Sequence, residues 1–178
     1  MQSILSFLVS NLFSLLYFVF LLRLIMQWTR ADFRNPIGQS VVQMTNWLIQ
    51  PLRRILPSIG QLDNASIAAL LAIALLKIGI LHLIFGMSLP EGLHWLLSPV
   101  FDLLNSGLSL YFWAIFIYAL LSMIAPGIQS PLQSLLESLC EPVLDRIRQA
   151  IPNLAGVDLS PLWAGLILQV LIYLIKQP

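Results

Sequence analysis

Gln50-Pro51-Leu52-Arg53-Arg54-Ile55-Leu56-Pro57, followed by Asp63, has a counterpart in Glu141-Pro142-Val143-Leu144-Asp145-Arg146-Ile147-Arg148-Gln149-Ala150-Ile151-Pro152, followed by Asp158. An ungapped shift of 95 residues lays Arg53 on Arg148, Pro57 on Pro152, Asp63 on Asp158 and Pro36 on Pro131. The same shift brings Ser3 over Ser98, Ser14 over Ser109 and Leu71 over Leu166, so the correspondence runs almost the length of the chain. Leucine matches carry little information in so apolar a sequence, whereas Pro, Arg and Asp matches carry much. The chain reads as two tandem parallel repeats, residues 1-86 and 87-178, each an apolar segment, a polar connector, an Asp and a second apolar segment.

Composition names the solvent. Hydrophobic residues make up 58% of the chain and charged residues 10%, with a mean hydropathy of +0.88. That is too apolar for a water-soluble domain. A bilayer core about 30 Å thick takes roughly 20 apolar residues of helix, and four stretches fit: Ile4–Leu22, Ala65–Phe85, Leu103–Ile124 and Pro161–Ile175. The expected fold is an all-α membrane protein of four transmembrane helices, two per repeat. The first stretch is read as a span, because no Lys or Arg precedes it and no small-residue cleavage pattern follows.

Orientation follows from the arginines. Arg23, Arg30, Arg34, Arg53 and Arg54 lie between the first and second spans, and Arg146 and Arg148 between the third and fourth; the middle connector has no Lys or Arg. Basic residues near span ends stay cytoplasmic, so connectors one and three are expected in the cytoplasm and both termini in the periplasm. Lys77 and Lys176 fall toward the outer ends of their helices, where a Lys stem snorkels to the headgroups.

Each cytoplasmic connector is expected to form an amphipathic helix. Leu132, Leu135, Leu136, Leu139, Val143 and Ile147 recur at three- and four-residue steps, opposite Gln133, Glu137, Glu141 and Arg148. Ser130-Pro131 is a helix start, and Pro142 predicts a kink or break. The first connector shows a looser stripe through Ile37, Val41, Met44, Leu48 and Ile55, opened by Asn35-Pro36, with a break expected at Gln50-Pro51. A helix with one apolar face, tied to spans at both ends, is expected in the headgroup layer.

These connectors, together with Arg23 and Trp28 at the end of the first span, resemble those of the YggT family, also called YlmG. The doubled arrangement is similar to proteobacterial members. The first copy departs after Asp63, reading Asn64-Ala65-Ser66 where the second has Leu159-Ser160-Pro161, and the second has Tyr118 and Met123 in place of Arg23 and Trp28. The resemblance implies a small integral protein of the bacterial inner membrane. Relatives are linked to osmotic and ionic stress tolerance, cell division or chromosome positioning and, in chloroplasts, cytochrome maturation and nucleoid partitioning.

Three groups of residues carry the functional expectations. Arg23, Trp28, Arg53, Arg54, Arg146 and Arg148 are assigned to lipid or partner binding, with Arg53 and Arg148 set either to bind anionic headgroups or to pair with an Asp. Asp63, Asp158 and Ser160 are read as helix caps. Ser10, Asn11, Ser14, Asn105, Ser106 and Ser109 form polar stripes, either a close-packing seam between the halves or the lining of a narrow cavity. No ionisable group lies well inside the first, third or fourth span so drawn, and Lys77, with His82 beyond it, is the one candidate in the second.

Chemistry is otherwise sparse. One cysteine, Cys140, excludes an intramolecular disulfide and CxxC-type metal sites, and a net charge of +1 argues against direct nucleic-acid binding. No serine has an evident base, no glycine-rich phosphate loop occurs, and no second ligand supports haem at His82 or His94. No cofactor, no metal and no catalytic residue are expected. The sequence reads as a non-enzymatic membrane organiser or assembly factor whose partners are lipids and other membrane proteins or a second copy. The alternative is a small ion or solute conduit between the repeats.

Overall fold

The computed structural model describes residues 2–56, 63–86, 94–124, 130–150 and 158–176. Pro57 and Pro152 of the repeated motif, and the side chains of Ser3 and His94, lie outside the described residues. Among the described residues six helices follow in order: α1 (Gln2–Trp28), α2 (Pro36–Ile55), α3 (Asn64–Phe85), α4 (His94–Ile124), α5 (Pro131–Ala150) and α6 (Ser160–Lys176).

Three are long and apolar enough to cross a membrane: Ile4–Trp28, Asn64–Phe85 and Leu97–Ile124. They turn large side chains outward, Phe7, Leu12 and Phe18 on α1 and Phe101, Trp113 and Phe116 on α4 among them. A water-soluble protein does not sustain so continuous an apolar surface. The fourth apolar helix, α6, has 17 residues. At 1.5 Å per residue it is about 26 Å long, just under the hydrocarbon thickness.

Three boundaries differ from expectation. Helix α2 runs unbroken through Pro51, and α5 through Pro142. Proline removes a single backbone donor, and Pro51 does so within the last turn or so of α2, where little helix remains to be disrupted. In α4 the helix begins well before Leu103 and continues through Pro99, so Asp102 lies inside the candidate span.

Two compact units group the contacts, residues 1–24 with 41–104 and residues 25–40 with 105–178. In the first, Ala65, Ala69 and Ile73 form a buried stripe on α3 with Ser66 and Leu70 beside it; small residues of this kind let helix backbones approach closely. Phe20 of α1 meets Trp47 of α2 edge-to-face at 6.3 Å. In the second unit, Leu135, Leu136, Leu139, Cys140 and Leu144 form the buried face of α5, which packs on α6. Asn35, buried ahead of α2, accepts from the Ile37 N–H at 2.9 Å and donates to the Pro131 carbonyl at 2.6 Å and to Ser134 Oγ at 2.7 Å. One amide thus caps α2 and ties it to the start of α5.

Candidate functional site: the connector clasps

Arg53 stands in the last turn of α2 and Asp63 just before α3. Arg53 Nη2 lies 2.6 Å from Asp63 Oδ2 and its Nε 3.2 Å from the same oxygen. Nε also approaches Asp63 Oδ1 at 3.4 Å, so the guanidinium bonds mainly to one carboxylate oxygen, in a short charge-assisted contact. Ser66 Oγ donates to the same oxygen at 2.7 Å. The Asp63 side chain is fully buried, while that of Arg53 is 44% exposed. Burial alone pushes the Asp63 carboxyl up, but the Arg53 and Ser66 hydrogen bonds and the Arg53 and Arg23 charges outweigh it and hold the group below the usual carboxylate range.

The cap reading of Asp63 needs correction. It holds the N-cap position of α3, and its main-chain carbonyl accepts from the Ser66 and Ile67 N–H groups, but its carboxylate caps no backbone N–H. The guanidinium has the stronger claim on those oxygens. In the second connector Asp158 does both: Oδ1 accepts the Ser160 N–H at 2.9 Å and Oδ2 accepts Arg148 Nε at 2.8 Å. Ser160 is buried at the first position of α6.

Arg148 gathers three carboxylates: Asp158, Asp145 at 2.9 Å and Glu141 at 3.1 Å. Against burial, which lowers its affinity for the proton, these partners raise it further above the ordinary arginine value. Burial raises Asp158 and the contacts from Ser160 and Arg148 lower it, leaving it below the usual range. All four side chains of this second clasp are partly exposed, at 31% to 57%.

A second tie joins each connector helix to the span before it. Arg23 is 4% exposed, and its Nη1 donates to Thr45 Oγ1 at 2.6 Å, Asn46 Oδ1 at 2.9 Å and the Val42 carbonyl at 3.3 Å. The structure therefore moves Arg23 from the lipid-binding group to the interior: its charge cross-links α1 and α2. Under the 95-residue shift Arg23 becomes Tyr118 and Asn46 becomes Glu141, and Tyr118 Oη donates to Glu141 Oε1 at 2.9 Å. The contact stays in place while its charge changes sign, from a cation on the span to a carboxylate on the connector.

The remaining assigned residues divide. Arg54 and Arg146 are exposed beside their clasps, and Trp28, 56% exposed, touches Tyr111 edge-on at 6.5 Å. Ser14 Oγ donates to the Ser10 carbonyl at 2.9 Å and accepts from Lys77 Nζ at 3.1 Å, and Asn11 donates to the Phe7 carbonyl at 2.8 Å. Serine and asparagine in these stripes thus bond largely along their own helix. Asn105, Ser106 and Ser109 are half-buried on α4, and Asn105 Oδ1 is a buried acceptor with no partner among the described residues.

Cys140 is fully buried, and burial first, with Glu141 second, pushes its thiol up to about 12, so it stays a protonated packing residue. Among the described residues, no three His, Cys, Asp or Glu side chains gather as a metal site. Sequence reasoning assigned no tertiary contact to Asn35, Thr45, Asn46, Glu141 or Asp145. The signal available was their place in the repeat, since Asn46 and Glu141 are equivalent positions that both face the preceding span.

The sequence model of the CCB3/YggT family matches residues 2–84 and 97–178. The chain belongs to the CCB3/YggT family. It is 36% identical to the uncharacterized protein YggT of Escherichia coli K12 over 173 residues, covering 97% of this chain and 87% of that one. It is 39% identical to an uncharacterized protein in the proC 3' region of Vibrio alginolyticus over 158 residues, 88% of this chain and 85% of the relative. A third relative, uncharacterized protein PA0392 of Pseudomonas aeruginosa, shares 36% identity over 169 residues, 93% and 84% of the two chains. No solved structure matches.

Proposed function

We propose that this YggT-family protein is a non-enzymatic organiser or assembly factor of the bacterial inner membrane, built from two tandem repeats of two spans, with its connector helices at the cytoplasmic surface. It serves stress tolerance or envelope and division processes by presenting those helices to lipid headgroups and to membrane-protein partners. The observation that carries this reading is the repeated clasp. Arg53–Asp63 and Arg148–Asp158 each join the end of a connector helix to the start of the next span, which fixes the connector relative to the bilayer.

What the clasps hold outward supports the reading. Met44, Trp47 and Ile55 of α2 follow helical steps and are 59%, 63% and 77% exposed, beside the exposed Arg54. An apolar flank edged by arginine suits the boundary between acyl chains and anionic headgroups. In a strain lacking the native protein, Arg54→Gln with Arg146→Gln should lose stress rescue while the protein still inserts, and full rescue would exclude the arginines from the function.

A conduit remains the second reading because polar groups do enter the spans. Lys77 reaches Ser14, Asp102 lies inside the candidate span of α4, and the Tyr17 hydroxyl is buried without a partner among the described residues. Ionisable residues within spans mark pathways more often than packing. Potassium flux into proteoliposomes discriminates: an organiser gives the leak of empty vesicles, while flux abolished by Lys77→Leu would replace the organiser with the conduit.

A further inference from the structure

Within the second unit, α4 and α6 border a groove of about 390 Å³. Its lining joins three polar groups, Ser109, Gln169 and Lys176, to the rings of Phe112, Trp113 and Tyr173. Gln169 lies near the middle of α6 and Lys176 at its end. Seven residues separate them, about 10 Å along the axis. An amide at mid-helix depth faces hydrocarbon, where an unsatisfied polar group costs several kcal/mol. Among the described residues, no hydrogen bond within the protein engages the side chains of Ser109, Gln169 or Lys176.

The first repeat handles the same level differently. Ser14, Tyr17 and Lys77 stand where Ser109, Phe112 and Ile172 line the groove, and Lys77 itself supplies the donor to Ser14 at 3.1 Å. With Ile172 in place of a lysine, no group among the described residues of the second repeat satisfies Ser109. An occupant of the groove has to offer acceptors at the depth of Ser109 and Gln169, a negative charge at the depth of Lys176, and apolar surface to the rings. Bulk acyl chains offer only the last. A solute anion offers charge and acceptors but no apolar surface for the rings.

We propose that this groove binds one anionic glycerophospholipid, its phosphate against Lys176, its ester carbonyls accepting from Gln169 and Ser109, and an acyl chain along Phe112 and Trp113. The site is independent of the connector arginines, since Lys176 ends α6 at the pole opposite Asp158.

Native mass spectrometry of the full-length protein in detergent, with added dioleoyl phosphatidylglycerol or dioleoyl phosphatidylcholine, tests it. The parent should retain one phosphatidylglycerol in preference to phosphatidylcholine. Lys176→Gln should cut that retention roughly tenfold, the size of a lost charge-assisted hydrogen bond, and leave phosphatidylcholine unchanged. Gln169→Leu should weaken both lipids, since it removes the carbonyl contact, and Arg54→Gln should weaken neither. A melting temperature equal to the parent's shows that each variant is folded. Equal retention of phosphatidylglycerol by the parent and Lys176→Gln would overturn the proposal, as would a lipid-free dimer that Gln169→Leu dissociates, because the occupant would then be a second copy.

Discussion

Arg53 and Arg148 occupy the same place in the sequence repeat but not the same energetic situation. Removing Arg53 strands a carboxylate with no exposed surface, and breaking a buried pair from one side costs about 3–5 kcal/mol. Removing Arg148 leaves three carboxylates that are each about a third or more in solvent, where water screens them and the loss is nearer 1 kcal/mol. Arg53→Ala is therefore expected to lower thermal stability in detergent several times more than Arg148→Ala, and equal losses would show that Asp63 is solvated. Acid should act through the same groups. Asp63 and Asp158 both bind protons less readily when folded than in the unfolded chain, where an aspartate titrates at about 3.9. Their contribution is complete above that value and disappears as pH falls through the lower folded values. Melting temperature should fall on acidification below about pH 4, and Asp63→Asn should remove most of that acid-dependent loss while being less stable at neutral pH. A variant with the parent's full acid slope would assign the slope to other carboxylates.

Helix α2 shows how much of an element was legible in the sequence and what was hidden. Its start at Asn35-Pro36 and its apolar period were readable, because capping and periodicity are local. Its passage through Pro51 was not, since proline ordinarily signals a break, whereas this close to the helix end its missing donor disrupts little. The third span was expected to begin at Leu103 rather than Leu97 because hydropathy dips at Asp102, although the helix that contains it does not stop. The elbow between α1 and α2 was also hidden. It turns at Arg30, a non-glycine residue at φ 56°, with the Ala31 N–H donating to the Met26 carbonyl at 2.8 Å, a pattern that ordinarily selects glycine. Arg30→Gly should raise stability by about 1 kcal/mol, the strain of a left-handed L-residue, and an unchanged melting temperature would show that the position is unstrained. Gly38 gives the opposite case. A Cβ there would sit 2.8 Å from Met26 Cε and 3.3 Å from the Asp32 carbonyl, so Gly38→Ala should cost about 1–3 kcal/mol by overpacking. Gly165→Ala, meeting Phe112 at 3.4 Å, serves as the control and should change stability little.

At the scale of the whole molecule, the open matter is how many times the chain crosses the bilayer, and α6 decides it. Its 17 residues fall short of the usual span by about two or three residues. Lys176 at its end compensates, because a lysine stem adds apolar length before its ammonium reaches the headgroups, and local thinning absorbs the remainder at a fraction of a kcal/mol per Å. Orientation is set while the chain inserts, before Arg23 is buried or the clasps form. All seven arginines of connectors one and three therefore count toward cytoplasmic retention, although three of them end in contacts within the protein. Alkaline phosphatase fused after Gly86 and, separately, after Pro178 resolves both points. Four spans with cytoplasmic connectors place each fusion in the periplasm, so both should be active. An active fusion at Gly86 with an inactive one at Pro178 would leave α6 on the cytoplasmic side and reduce the protein to three spans, whereas two inactive fusions would invert the orientation.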